Sequence, residues 1–209
     1  MKRLIIVIAA SVFALESYAQ NVTIGTQVWM TKNLNVSTFR NGDPIPQAKT
    51  NEEGEKAGDN KQPAWCYYEN DPANGAKYGK LYNWYAVMDS RGLAPVRYHI
   101  PSDAEWTLLT DYLGGAEKAG AKMKSKQGWA KGLAVDGNGT NSSGFSGLPG
   151  GYRSSGGTFS NVGKDGSWWS SSENFPNNAW YRNLSCLSGY VNRGSIAKET
   201  GFSVRCLRD

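Results

Sequence analysis

Aromatic, arginine and asparagine side chains are concentrated near the end of the chain, where they could form a ligand-binding surface. A planar ring can stack on the apolar face of a sugar, while Asn and Arg form hydrogen bonds with its hydroxyls. The same residue types dominate the hot spots of protein-binding surfaces. The sequence therefore predicts a site for a glycan or a protein that comprises Trp180, Tyr181, Arg182, Tyr190, Asn192 and Arg193.

Burial in the core is the alternative role for the tryptophans of this region. Trp168 and Trp169 are adjacent, so only one of them can face the core if they lie in a strand, and we expect it to be Trp169. For Trp180 the sequence leaves core and surface equally open. Tyr190, Asn192 and Arg193 surround a turn-like segment and are expected to be exposed.

Catalytic chemistry has little support in the sequence. His99 is the only histidine, no nucleophile-elbow motif accompanies it, and we expect it to be structural. The chain has no phosphate-binding loop, and no Gly-x-Gly stretch follows a strand and opens a helix. Carboxylates that meet only in space, as in glycosidases, stay open. The sequence predicts a protein that is not an enzyme and needs no cofactor.

A metal site is suggested only by residues 136–141 (DGNGTN), which place oxygen-bearing side chains at alternate positions, as calcium loops do. The segment has no acidic residue at the distance of the closing ligand. Since Asp, Asn and Gly are also the residues of ordinary turns, we favour a turn. Calcium bound elsewhere stays open.

The first residues are typical of a secretory signal peptide. Met1, Lys2 and Arg3 precede an apolar run over residues 4–15, and small residues at Ser17 and Ala19 fit a cleavage site. The run is shorter than a membrane-spanning helix requires. We therefore expect a signal peptide at residues 1–19, one domain at 20–209, and a location in the periplasm, on the outer surface or in the medium.

The charge of the chain limits the expected binding partners, and its cysteine content limits the expected disulfides. The formal net charge of +5 is mild and includes no run of five like charges, so nucleic acid is not an expected partner. No later stretch is apolar enough to span a membrane. In an oxidising compartment, Cys66, Cys186 and Cys206 predict one disulfide and one free thiol, with three pairings open.

The pattern of hydrophobic residues predicts an α+β fold with short antiparallel sheets, two helices and long ordered loops. Residues 22–30 indicate a hairpin, and Ser102 with Glu105 forms the capping-box pair that begins a helix. A second helix is expected over residues 116–124, and loops over residues 47–63 and 136–157. Short strands return in residues 179–187, 190–197 and 202–206.

Several segments, in this order, resemble a known family. Residues 98–106 (YHIPSDAEW), 166–173 (GSWWSSSE) and 201–206 (GFSVRC) are similar to motifs of formylglycine-generating-enzyme-like domains. Three further segments make the family assignment more specific: residues 24–34 (IGTQVWMTKNL), 65–68 (WCYY) and 78–84 (YGKLYNW). Together they resemble the Fibrobacter succinogenes major paralogous domain family, from about residue 21 onwards.

The resemblance implies a C-type-lectin-like fold, in which the terminal strands pair, and a secreted or surface-exposed protein. Cys66 and Cys206 both lie in family-like segments, which favours a Cys66–Cys206 disulfide and leaves Cys186 as a buried thiol; a Cys186–Cys206 pair stays open. The reactive cysteine pair of formylglycine-generating enzymes has no counterpart here. The resemblance therefore implies the fold without the activity.

From these observations we expect a secreted or surface-exposed, adhesin-like binding module that recognises a glycan or a cell-surface protein. One alternative is a structural component of a surface appendage, and a divergent enzyme is another. A shallow aromatic face would favour binding, a long free strand edge would favour assembly, and a deep pocket lined with carboxylates would favour catalysis.

Overall fold

A computed structural model describes residues 20–132 and 136–209; the predicted signal peptide lies outside these residues. The described residues form a mixed α/β structure. Its helices are α1 (Asn51–Asp59), α2 (Pro72–Tyr78), α3 (Trp84–Val87), α4 (Asp103–Tyr112) and α5 (Ala116–Met123), with one 3-10 turn at Tyr68–Asn70. Its strands are β1 (Asn21–Ile24), β2 (Gln27–Met30), β3 (Trp65–Cys66), β4 (Leu81–Tyr82), β5 (Tyr98–His99), β6 (Gly150–Arg153), β7 (Phe159–Val162), β8 (Asp165–Phe175), β9 (Asn178–Ser185), β10 (Val191–Ala197) and β11 (Leu207–Arg208).

A four-stranded antiparallel sheet in the order β1-β2-β11-β5 brings the two ends of the domain together. The hairpin of β1 and β2 turns at Gly25, which adopts a positive φ of 62°. Leu207 of β11 pairs with Trp29 on one side and with His99 on the other. The last strand therefore joins the first hairpin to the segment that precedes α4.

The larger sheet has the strand order β10-β9-β8-β6-β7. Its pairs are antiparallel except for β6 and β8, which run parallel and meet at Gly151 and Gly166. The expectation of purely antiparallel sheets was therefore wrong. The hairpin of β6 and β7 is inserted before β8, and this order of strands has no marker in local sequence.

Helix α4 begins where its capping residues predict. The Ser102 hydroxyl accepts a hydrogen bond from the Glu105 amide, and the Glu105 carboxylate accepts one from the Ser102 amide. Helix α5 matches the second expected helix. The expectation of two helices was nevertheless wrong, because α1 lies within the segment expected to be a loop. Thr50 caps α1 and two glutamates occupy its first turn, so local capping forms a helix without an apolar stripe.

Two aromatic cores lie on opposite faces of the larger sheet. The first contains Trp169 and Phe202, whose ring centroids are 4.7 Å apart. The second contains Trp29, Trp106 and Trp168, which surround the fully buried ring of Phe145. Trp168 and Trp169 are both fully buried. The expectation that only one of them faces a core was wrong because the sheet is covered on both sides.

A fully buried arginine connects the two ends of the domain. The Arg205 guanidinium donates to the backbone oxygens of Met30 at 3.0 Å and Phe145 at 2.6 Å. It also donates twice to Asn33 Oδ1, at 2.7 and 3.1 Å. The same amide oxygen accepts the indole N–H of Trp168 at 2.8 Å. One carboxamide therefore fixes the last segment, the first hairpin and the second core.

The predicted Cys66–Cys206 disulfide is absent from the structure, in which Cys66, Cys186 and Cys206 are all free and buried. The three side chains belong to three different clusters of buried residues, so the alternative Cys186–Cys206 bridge is absent as well. Burial raises the pKa of Cys66 and that of Cys206 to about 12 in each case. Both thiols are therefore protonated and shielded from reagents at neutral pH.

We expect Arg205→Met to lower the free energy of unfolding by about 3 kcal/mol, because the buried oxygens of Met30 and Phe145 would lose their donor. Urea denaturation measures this change. Arg208→Met is the matched control, since Arg208 is exposed on the neighbouring strand, and its effect should stay within about 0.5 kcal/mol. Equal effects of the two substitutions would contradict the role of Arg205.

All three cysteines should react with iodoacetamide after denaturation without reductant, and they should be protected in the folded chain. Intact-protein mass spectrometry counts the adducts. A denatured chain that carries a single adduct would show that two of the cysteines form a bridge. A chain reduced before denaturation supplies the reference mass for full modification.

His99 should make stability depend on pH. Its ring nitrogens lie 2.8 Å from Asp209 Oδ1 and 2.9 Å from Glu105 Oε1. Burial lowers the pKa of His99, but these two hydrogen bonds outweigh it and the pKa lies above its ordinary value. Because the folded pKa is the higher one, the stabilisation is complete below the unfolded value of about 6.5 and is lost as pH rises through the folded pKa.

The melting-temperature advantage of the wild type over His99→Gln should accordingly be largest near pH 5.5 and shrink towards about pH 8.5. Differential scanning fluorimetry across this range measures it. Burial raises the pKa of Glu105, but hydrogen bonds from Ser102 and His99 outweigh it and the pKa is lowered, so Glu105 stays ionised throughout. A constant difference between the two proteins would refute the ion pair.

Candidate functional site

Strand register divides the six predicted ligand-binding residues between the two faces of the larger sheet. Arg193 lies opposite Arg182, and Ser195 lies opposite Trp180, so these side chains share the face that carries α4. Tyr181 and Asn192 point to the other face. Tyr190 is 48% exposed and precedes β10 beside α5. The six residues therefore do not form one surface.

On the α4 face, Arg193 is held between an aromatic ring and a carboxylate. Its guanidinium carbon lies 3.4 Å from the centroid of the Trp180 ring. Its Nη2 and Nε atoms donate to Asp103 Oδ2 at 2.8 and 3.1 Å. The Arg193 side chain remains 46% exposed. The result is a partly exposed Trp–Arg pair whose geometry is set before any ligand arrives.

Arg182 holds the Asp103 carboxylate that contacts this pair. It is only 2% exposed, and it donates to Asp103 Oδ1 at 2.7 Å and to the Thr107 hydroxyl at 3.0 Å. The prediction that Arg182 contacts a ligand is therefore wrong, because α4 covers its side chain. It instead fixes the carboxylate that fixes Arg193.

Asp103 is the residue that the sequence analysis missed. It is the first residue of α4, where an acid suits the helix dipole, and no local pattern indicates that it meets Arg193. Burial raises the pKa of Asp103, but hydrogen bonds from Arg193 and Arg182 outweigh it and the pKa is lowered. The carboxylate is therefore ionised at neutral pH. Two guanidinium groups around one carboxylate leave this cluster with one excess positive charge.

On the opposite face, Tyr181 lies across Gly194. A methyl group added at Gly194 would stand 2.8 Å from a carbon of the Tyr181 ring, so a larger residue there would displace the ring. The ring also packs on Phe202, with centroids 4.8 Å apart. Beyond it, Asn192 is exposed and donates to Asn183 Oδ1 at 3.4 Å. One edge of the Tyr181 ring therefore packs in the core, and the other edge reaches the surface.

Each face of the sheet is covered at one end and accessible at the other. The second core covers the α4 face at Trp168, Leu184 and Val191, and leaves Trp180 and Arg193 outside it. The first core covers the opposite face at Trp169 and Ala179, and leaves Asn183 and Asn192 outside it. Two separate accessible surfaces result, one on each face.

A third polar region surrounds His99. It borders an open cavity of about 410 Å³ whose wall includes Arg40, Met88, Ser102 and Glu105. The Ser102 hydroxyl donates to Glu105 Oε2 at 2.8 Å, and both ring nitrogens of His99 face carboxylates. The arrangement holds β5, β11 and α4 together, and it differs from a serine–histidine nucleophile pair.

The suspected calcium segment forms an Asx-type turn, in which Asp136 Oδ1 accepts the backbone and side-chain N–H of Asn138. Across the described ranges, no cluster of three or more His, Cys, Asp or Glu side chains is placed to hold a metal ion. In the same part of the chain, no helix has the length and apolar character that crossing a membrane requires.

One family model matches the chain. It is described as the Fibrobacter succinogenes major domain, and it matches residues 22–208, from the first hairpin to the last strand. No curated protein and no solved structure matches the chain. Since the match extends over almost all of the described residues, the chain belongs to the Fibrobacter succinogenes major domain family.

Proposed function

We propose that this protein is a secreted or surface-exposed recognition module, without catalytic activity, that binds a glycan or a cell-surface protein. The observation that carries the proposal is the Trp180–Arg193–Asp103 cluster on the α4 face. Tryptophan and arginine are the residues most enriched in binding hot spots. Here both are fixed and partly exposed.

The support beneath the cluster explains why it suits recognition. A free arginine loses rotamer entropy when it binds a partner, whereas Arg193 is already held by the ring and the carboxylate. Arg182 and the α4 terminus hold the carboxylate in turn. The Arg193 side chain therefore loses its conformational entropy during folding, and binding does not require this loss a second time.

The same proposal includes a C-type-lectin-like fold and a relationship to formylglycine-generating-enzyme-like domains. Pairing of the last strand, β11, with the first hairpin through β2 supports it, as does the position of the IPSDAEW segment at the start of α4. The signal-like first residues support a location in the cell envelope or outside the cell.

A role in assembly is the second candidate, and the position of β10 favours it. This seven-residue strand is at the edge of the larger sheet and pairs with β9. Free N–H and C=O groups on an edge strand can accept a strand from another chain. Such a contact would use backbone groups, so it would not depend on Trp180.

We expect Trp180→Ala and Arg193→Ala each to weaken ligand binding about tenfold or more, because each removes half of the stacked pair. A glycan array and pull-down of cell-surface proteins identify the ligand, and calorimetry measures its affinity. Folding should be little affected by Arg193→Ala, with a change of about 1 kcal/mol or less, since this ion pair is partly exposed.

Arg208→Ala is the control, because it removes an exposed arginine on β11, which belongs to the other sheet. Binding that is equally strong in all variants would remove the α4 face from consideration. Self-association that persists in Trp180→Ala and disappears in Ser195→Pro would instead establish the assembly role, since proline removes a backbone donor from β10.

A further inference from the structure

A row of uncharged polar side chains crosses the larger sheet on the face opposite α4. Tyr152 pairs with Ser160, Ser167 pairs with Asn183, and Asn183 pairs with Asn192. After the single bridge of Gly151 and Gly166, segment 201–203 lies between β6 and β8, since Gly201 pairs with Arg153 and Ser203 pairs with Trp168. The row therefore crosses β8, β9 and β10 as Ser167, Asn183 and Asn192, and Tyr152 and Ser160 lie beyond segment 201–203.

The middle of the row is linked by hydrogen bonds. Asn192 donates to Asn183 at 3.4 Å, and Asn183 donates to the Ser167 hydroxyl at 3.1 Å. Ser160, Tyr152, Asn183 and Asn192 are all partly or fully exposed, whereas Ser167 is buried beneath them. Within the described ranges, the Tyr152 hydroxyl, the Ser160 hydroxyl and Asn192 Oδ1 have no hydrogen-bond partner in the protein. These groups are available to a ligand.

Aromatic rings border the row along one side. Tyr152 and Tyr181 both pack on the buried ring of Phe202, at centroid distances of 5.9 and 4.8 Å. Burial raises the pKa of Tyr181, so its hydroxyl stays protonated and can donate. Within the described ranges this hydroxyl also has no partner. The rings are anchored by the core, while their hydroxyl ends reach the surface.

The row itself is uncharged, and the Asp165 carboxylate lies beside it, two residues before Ser167 on the same face, which distinguishes it from the α4 face and its excess positive charge. An acidic ligand would meet this carboxylate and would find no cation in the row. A ligand with many hydroxyls would find a donor or acceptor on each of three adjacent strands, at intervals of about 4.8 Å, with the Tyr152 and Tyr181 hydroxyls beside them. That pattern fits an extended chain of several sugar units better than a single small molecule.

We propose that this face binds a neutral, linear oligosaccharide, with the row of amides and hydroxyls contacting sugar hydroxyls beside the Tyr152 and Tyr181 rings. The inference rests on the proposed function as a recognition module, and it names the ligand class and the face. It also separates two tasks: the opposite face takes the saccharide, and the Trp180–Arg193 cluster remains free for a protein.

Calorimetry of the full chain with cellohexaose, xylohexaose and mannohexaose tests the proposal, and an oligogalacturonate is the acidic comparison. We expect at least one neutral hexasaccharide to bind and the acidic one not to bind. Tyr152→Phe with Asn192→Ala should weaken that binding roughly tenfold or more, because two hydrogen-bonding groups are lost. The control Arg208→Ala, which removes an exposed arginine on the other sheet, should change it less than about twofold, and Arg193→Ala is measured beside it.

The double variant is suited to the test because it leaves the packing intact: the phenylalanine ring can still contact Phe202, and Asn192 is exposed. Its unchanged melting temperature verifies folding. Hexasaccharide binding that depends on Arg193 but not on Tyr152 and Asn192 overturns this inference and supports the proposed function. Failure of all three neutral hexasaccharides also overturns the inference, while an Arg193-dependent protein ligand would leave the proposed function standing.

Discussion

The buried guanidinium of Arg205 is the constraint on which the rest of the structure depends. A charge taken out of water is costly unless its donors are all used, and Arg205 uses neutral oxygens from Met30, Phe145 and Asn33. Those oxygens belong to two segments that are remote in sequence from each other and from Arg205. The domain can bury this charge only when the first hairpin, the loop of Phe145 and the last segment are all in place, so its ends close together.

Closure of the ends positions the larger sheet between two cores. Trp168 reaches the second core and donates to Asn33, while Trp169 reaches the first. A sheet covered on both faces would normally present no binding surface. Because the two cores cover opposite ends, each face keeps one accessible region: a charged Trp–Arg cluster on one, and a neutral row of amides and hydroxyls on the other.

Local sequence predicted the features that depend on local geometry. The hairpin at Gly25, the capping box of Ser102 and Glu105, and strands β9 and β10 all form close to where their patterns placed them. The cysteines show the limit of such reasoning. Cys66 and Cys206 lie in family-like segments, and that shared property suggested a bridge; yet a disulfide requires Cβ atoms within about 4.5 Å, a distance that only packing decides.

By itself, the sequence determined the family, the mixed α/β class and the concentration of binding-type residues in the last strands. Two of the motifs that carried the family likeness, residues 24–34 and 201–206, contain Asn33 and Arg205, which are hydrogen-bonded in the structure. Only the tertiary structure decided which residues act together. Alternation along a strand assigns faces, but it does not say which face a helix covers. Asp103 therefore contacts Arg193, although 90 residues separate them in the chain, and the Arg182 side chain is buried.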